Sequence, residues 1–326
     1  MKLKFSTFLR LVVSIGLIVF LVWSMRGNLP HVLKALASMN YVFFAFAIVL
    51  FMVNVVLLSL RLNLLFGAEG LKISFGRVVQ LTYVGYFFNN VMPSAVGGDI
   101  VKAYYANKST NQTAKSFIAV FMDRFIGFFS FILIALFALL WSWGNIDITI
   151  KKIVFTFAFF GFIIFLAALN ASVAKPILKL LSRLHLWKIG EKLSKVYKAV
   201  HEYRNKKGVM LGVVLISLIC QVIYFLIVYI LSKSLNINLA LKMIFLFMPI
   251  VSIVSLLPSL GGLGLREGAI VALFGSIIGN DNAFSISILL LMTLFAISII
   301  GAFIYLFASQ FRIKSQEISA IEDYKV

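Results

Sequence analysis

Long apolar runs alternate with short polar connectors along this chain. Six of them, roughly 8–25, 40–60, 116–142, 153–170, 208–232 and 284–310, hold close to or more than the ~20 residues that a helix needs to cross a bilayer. Two shorter runs, 78–92 and 243–257, stop at interruptions of one kind. The first reads Met92-Pro93-Ser94-Ala95-Val96-Gly97-Gly98-Asp99, and the second Leu257-Pro258-Ser259-Leu260-Gly261-Gly262-Leu263-Gly264. Proline lacks the N–H that a helix needs and glycine tolerates any φ, so helices break there. A short helix-like piece follows each break, about 98–107 and 265–279. Backbone freed at membrane depth must be buried in protein or line a cavity. Paired breaks in two halves of a membrane chain therefore point to a transporter-type binding site.

Charge decides how the segments thread. The connector 171–207 is crowded with Lys and Arg, among them Lys175, Lys179, Arg183, Lys188 and Lys192, against only Glu191 and Glu202. The positive-inside rule puts it in the cytoplasm, together with Lys2, Lys4 and Arg10 of the N-terminus. Both lie on one side only if 78–107 is a re-entrant hairpin rather than a full crossing. By the same logic 243–279 is a hairpin entering from the other side, with Arg312 and Lys314 cytoplasmic. The chain is thus expected to be an all-α polytopic membrane protein. It would have about six full transmembrane helices plus two re-entrant helical hairpins arranged as an inverted repeat. A single integral membrane domain, 1–326, would contain a first half at 1–142 and a second at 153–310, with a short cytoplasmic tail at 311–326. Eight conventional helices with two proline kinks is the alternative.

Composition narrows the function. The chain is 62% hydrophobic and carries a net charge of +19. In a soluble protein that charge suggests nucleic acid, but here the basic residues collect in connectors and face anionic lipid, so no nucleic-acid partner is expected. The one cysteine, Cys220, excludes an intramolecular disulfide, and His31, His185 and His201 lack ligand-like spacing. Neither a nucleophilic triad nor a phosphate-loop motif is legible, so no catalytic residue, metal or cofactor is assigned. The N-terminal apolar run ends at Trp23-Ser24-Met25-Arg26 without a small-x-small site and reads as an uncleaved span. Loop 171–207 is itself amphipathic, suited to an anionic leaflet or to a docking partner enzyme.

Ionisable groups at membrane depth are costly and usually functional. Asp99 and Lys102 follow the first Gly-Gly, Arg266 and Glu267 follow the second glycine run, and Asp123-Arg124 interrupts the run 116–142. Half-helices beginning near Gly98 and Leu265 would aim unpaired N–H groups inward, where they favour anions. Gly97, Gly98, Gly261, Gly262 and Gly264 with Lys102 and Arg266 are thus read as a cradle for phosphate or carboxylate. Asp99 and Glu267 either join it or cap the helix starts. Glu267, adjacent in sequence, is expected to be a poor partner for Arg266. Pro93 and Pro258 shape the hairpins. Asn89 and Asn90 can cap or hydrogen-bond exposed carbonyls, and Asp123 and Arg124 would either sit at the interface or brace the first hairpin, for example by pairing Arg124 with Asp99. Asn54, Gln80 and Gln221 are candidate interhelix contacts.

Three segments now carry a resemblance: Pro93…Gly98-Asp99…Lys102, Asp123-Arg124, and Pro258…Gly261-Gly262-Leu263-Gly264-Leu265-Arg266-Glu267. In order and spacing they resemble the signatures of a flippase-like integral membrane family. It is typified by the membrane domain of lysylphosphatidylglycerol synthase, the multiple peptide resistance factor. The chain departs from that pattern at Lys102, where the family has Arg, at Gly127, where an Asp is usual, and at Leu260, where a proline often precedes Gly-Gly. The resemblance implies a lipid-translocating module of a bacterial inner membrane that moves an anionic or aminoacylated phospholipid. The synthase's aminoacyltransferase domain is not expected here, nor an enzymatic activity. A transporter of a small soluble anion, and a membrane subunit that recruits a lipid- or glycan-modifying enzyme, are the other readings.

Overall fold

A 28-residue apolar helix rises about 42 Å, more than the hydrocarbon core of a bilayer. Four such helices dominate the computed structural model, which describes residues 29–92, 96–141, 144, 148, 151–152, 154–156, 158–159, 162–163, 203, 206–257, 259, 262–308 and 311. In chain order the helices are α1 (Leu29–Ala37), α2 (Tyr41–Ala68), α3 (Phe75–Val91), α4 (Gly97–Thr110), α5 (Thr113–Trp141), α6 (Lys207–Ser234), α7 (Leu241–Val254), α8 (Leu265–Ile278) and α9 (Asn280–Phe307). No strand occurs among the described residues. The chain is an all-α polytopic membrane protein, with α2, α5, α6 and α9 long and apolar enough to cross a membrane. The expected span 8–25, most of 153–170, nearly all of loop 171–207 and the tail after Phe311 lie outside the described residues.

Two expectations change. α2 continues past the apolar run 40–60 to Ala68 because Leu62, Leu64, Leu65 and Phe66 keep the helix apolar around Arg61. The connector 26–39 contains α1, whose Val32 packs on Phe284 of α9.

Contacts at the helix ends orient the bundle. α2 and α6 are antiparallel: Asn40 N donates to Ser234 O at 2.7 Å at one end, and Lys206 Nζ pairs with Glu69 Oε1 at 3.1 Å at the other. At the Lys206 end, Leu65, Leu71, Tyr105, Tyr203 and Phe311 share one buried cluster, and Tyr105 donates to the Phe311 carbonyl at 2.7 Å. The pair α3–α4 therefore starts and finishes at the Lys206 end. The pair α7–α8 starts after Ser234 and runs into α9 beside α1, so it starts and finishes at the Asn40 end. Each pair is broken where the sequence places the Pro-Ser and glycine interruptions. Pro93 and Pro258 themselves lie outside the described residues.

The packing suits a lipid solvent. Phe46, Val49, Phe137, Leu215 and Phe303 are exposed on the outer faces of the long helices, an extent of apolar surface that water does not favour. Buried hydroxyls spend their hydrogen bonds one turn back, as Ser59 on Val55 O at 2.7 Å and Ser130 on Ile126 O at 2.9 Å, so no polar atom faces hydrocarbon unpaired there.

Candidate functional site

Residues near the tips of both helix pairs line one cavity of about 300 Å³, level with the middle of the long helices. Asn54, Leu58 and Arg61 of α2 line it, with Gly85, Tyr86, Asn89 and Asn90 of α3 and Asp99 and Lys102 of α4. α5 contributes Asp123, Arg124 and Gly127, α6 Cys220, Gln221 and Tyr224, and the second helix pair Ser252, Ser255, Leu256 and Arg266. Tyr86 and Tyr224 both pack edge-on against Phe51, giving one wall an aromatic face.

The charged groups are knitted together. Asp99 Oδ1 lies 2.7 Å from Lys102 Nζ one turn on, and its Oδ2 lies 3.0 Å from Arg124 Nη1 on α5, the cross-pairing raised from sequence. Asp123 takes Arg61 Nε at 2.7 Å, and Arg61 Nη1 donates to Ser217 Oγ on α6 at 2.8 Å. Four cations, Arg61, Lys102, Arg124 and Arg266, thus stand against Asp99, Asp123 and Glu267, which leaves one positive charge in excess among these groups.

At the half-helix starts one expectation is corrected, and the alternatives for Asp99 and Glu267 are decided. Arg266 does pair with its neighbour: its Nη2 and Nε lie 2.8 and 3.1 Å from Glu267 Oε1. Successive residues diverge along a helix, but in the first turn no preceding turn blocks the long Arg side chain from folding back. Glu267 meanwhile accepts from Gly264 N at 2.6 Å through Oε2, so it is the cap expected of it. Asp99 is not a cap, because its carboxylate is held by Lys102 and Arg124. Two of the N–H groups counted toward an anion site are already engaged: Gly98 N donates to Asn89 Oδ1 at 2.8 Å and Gly264 N to Glu267. The cavity instead offers side-chain cations.

Gly97, Gly98, Gly262 and Gly264 are not among the residues that line the cavity. A Cβ on Gly98 would overlap the Gly85 carbonyl oxygen, so Gly98 permits α4 to touch α3. Gly262 and Gly264 have φ of +83° and +82°, which side chains other than glycine rarely adopt. A Cβ on Gly97 would press on Met92. Gly261 lies outside the described residues. Of the interhelix candidates, Gln221 reaches the Gly127 carbonyl at 3.5 Å, whereas Asn54 Oδ1 is buried without a partner.

Pattern reading missed Arg61, which falls one residue after the apolar run ends. The signal is the apolar stretch Leu62…Phe66 just beyond it: an arginine between two apolar stretches of one helix is an intramembrane cation. Among the described residues no group of His, Cys, Asp and Glu is placed to hold a metal ion.

A family profile described as the lysylphosphatidylglycerol synthase TM region matches residues 7–303. A UPF0104 membrane protein of Methanothermobacter thermautotrophicus is 26% identical over 302 residues, 84% of this chain and 85% of the relative. UPF0104 membrane protein MJ1595 of Methanocaldococcus jannaschii is 23% identical over 222 residues, 64% of this chain and 66% of the relative. With UPF0104 membrane protein PH1989 of Pyrococcus horikoshii, 24% identity extends over 138 residues, so the match spans 41% of either chain.

Proposed function

The chain belongs to the lysylphosphatidylglycerol synthase transmembrane-region family, and on that premise we propose that it moves an anionic or aminoacylated phospholipid across a cell membrane. The observation that carries this reading is the excess positive charge on a mid-depth cavity where two helix pairs meet from opposite ends. A phosphodiester carries one negative charge and matches that excess. The two broken helix pairs are re-entrant hairpins of an inverted repeat, 1–142 and 153–310, and rocking of one half against the other opens the cavity alternately to each leaflet. The termini and loop 171–207 face the cytoplasm.

Reconstitution tests it. Liposomes with the purified protein and fluorescent phosphatidylglycerol in both leaflets are exposed to dithionite, which bleaches only the outer leaflet. Wild type is expected to bleach the inner pool quickly, while Lys102→Ala and Arg266→Ala approach protein-free liposomes. Equal rates for all of these overturn the proposal. Uptake of inorganic phosphate into the same vesicles without lipid movement makes the cargo a soluble anion.

A further inference from the structure

Asn54, Leu58 and Arg61 recur at helical spacing and line the cavity from one face of α2. The two polar members are in unusual states. Asn54 is 3% exposed and its Oδ1 has no hydrogen-bond partner, although the residue forms part of the cavity wall. Buried acceptors are rarely left unpaired, and each that is calls for a reason. Arg61 is 5% exposed and held from two sides, by Asp123 at 2.7 Å and Ser217 at 2.8 Å. Gly127 makes room for it, since a Cβ there would stand 3.2 Å from Arg61 Nη1. Nε and Nη1 are engaged, while Nη2 donates to no described residue.

We infer that Arg61 and Asn54 form a two-point headgroup site, in which Arg61 donates to a phosphodiester oxygen and Asn54 accepts from a hydroxyl or ammonium group of the same headgroup. This rests on the reading of the cavity as a lipid-headgroup site. The two Cα atoms are about 10 Å apart along the helix. Side chains on a helix lean toward its N-terminus, so both lean the same way, and the longer Arg61 side chain covers part of the gap. An anion with acceptors alone satisfies Arg61 and leaves Asn54 Oδ1 as it is. A headgroup that also carries a donor satisfies both. Ser217 is then a positioning residue, acting on the cargo only through the guanidinium it orients.

Binding to the full chain in detergent tests this by native mass spectrometry with three lipids of matched acyl chains. Phosphatidylglycerol has a phosphodiester and hydroxyl donors, phosphatidylmethanol has the same charge without a donor, and diacylglycerol has no phosphate. Wild type is expected to prefer phosphatidylglycerol over phosphatidylmethanol by about threefold to tenfold, the range of one net hydrogen bond. Asn54→Leu removes the unpaired acceptor from a buried place and is expected to fold, to bind both phospholipids and to lose the preference. Asn54→Ala reads the same contact with a smaller side chain. Arg61→Lys keeps the charge and loses the fork, so it is expected to weaken both phospholipids alike. Retention of the wild-type preference in folded Asn54→Leu or Asn54→Ala overturns the donor half, with Asn54 satisfied by water. Undiminished binding in Arg61→Lys overturns the arginine half. Phosphatidylglycerol held no better than diacylglycerol by wild type overturns the lipid-headgroup reading itself, and the two-point site with it.

Discussion

Arg61 Nε donates to Asp123 Oδ1 at 2.7 Å, joining α2 to α5 across 62 positions of sequence, and both side chains are under a tenth exposed. Removing one member of a buried pair strands the other charge and costs about 3–5 kcal/mol, whereas replacing both with apolar groups is often neutral. Asp123→Ala is therefore expected to lower the thermal midpoint in detergent sharply. The double variant Arg61→Leu, Asp123→Leu is expected to recover most of it while lipid translocation stays lost. A midpoint for Asp123→Ala equal to wild type rules out the pair as a structural tie.

Asp99 is shared by Lys102 on its own helix and Arg124 on α5, whose side chain is 32% exposed. With Lys102 still in place, Arg124→Ala leaves Asp99 a partner. The variant is expected to fold as wild type does, and to translocate lipid at a small fraction of the wild-type rate in the dithionite assay. Arg124→Lys is expected to restore part of that rate. Full activity of Arg124→Ala removes Arg124 from the cargo path.

Glycine substitutions separate close approach from idle flexibility. A Cβ at Gly98 would collide with the Gly85 carbonyl and the Asn89 amide, both parts of the hairpin that α4 must touch. At Gly67 a Cβ meets nothing within 4 Å. Gly98→Ala is expected to give an aggregated peak on size-exclusion chromatography. Gly67→Ala, inside α2, is expected to elute as wild type and to melt slightly higher, by the ~0.5–1 kcal/mol that alanine gains over glycine in a helix. The reverse order of stabilities contradicts the hairpin packing.

Much of the fold was legible in the sequence, because a bilayer imposes a simple rule: apolar runs of sufficient length are helices, and Pro-Gly breaks in them stand out. The runs beginning near 208 and 284 became α6 and α9 with ends shifted by a few residues, and the breaks at Met92 and Leu257 separate short helices as read. Asp99, Lys102, Asp123, Arg124 and Arg266 stood out as charges within apolar surroundings, and they do line one cavity. What stayed hidden depends on reach and on pairs distant in sequence. Arg61 falls just past the run 40–60, and its partner Ser217 lies 156 positions away. The Arg266–Glu267 pair runs against the rule for adjacent helical residues, which holds within a helix and relaxes in its first turn. Of the glycines read as an anion cradle, Gly98 serves close packing and Gly262 and Gly264 serve positive φ, a distinction that composition does not carry.

The threading of the hairpins yields the sharpest prediction. Lys72 and Lys108 are exposed, one just before α3 and one near the end of α4, both at the Lys206 end. Asn238 and Asn282 are exposed around α7 and α8 at the Asn40 end. Cys220 is the only cysteine and is buried, so Cys220→Ala gives a clean background. Lys72→Cys, Lys108→Cys, Asn238→Cys and Asn282→Cys are placed in it singly and labelled on oriented vesicles with a membrane-impermeant maleimide. Two re-entrant hairpins require that 72 and 108 label from one side and that 238 and 282 label from the opposite side. By the proposed orientation, in which the basic connector 171–207 faces the cytoplasm, the first of these sides is expected to be the cytoplasmic one. If 72 and 108 label from different sides, the first pair crosses the bilayer, the two halves no longer mirror each other, and rocking around a fixed central cavity loses its basis.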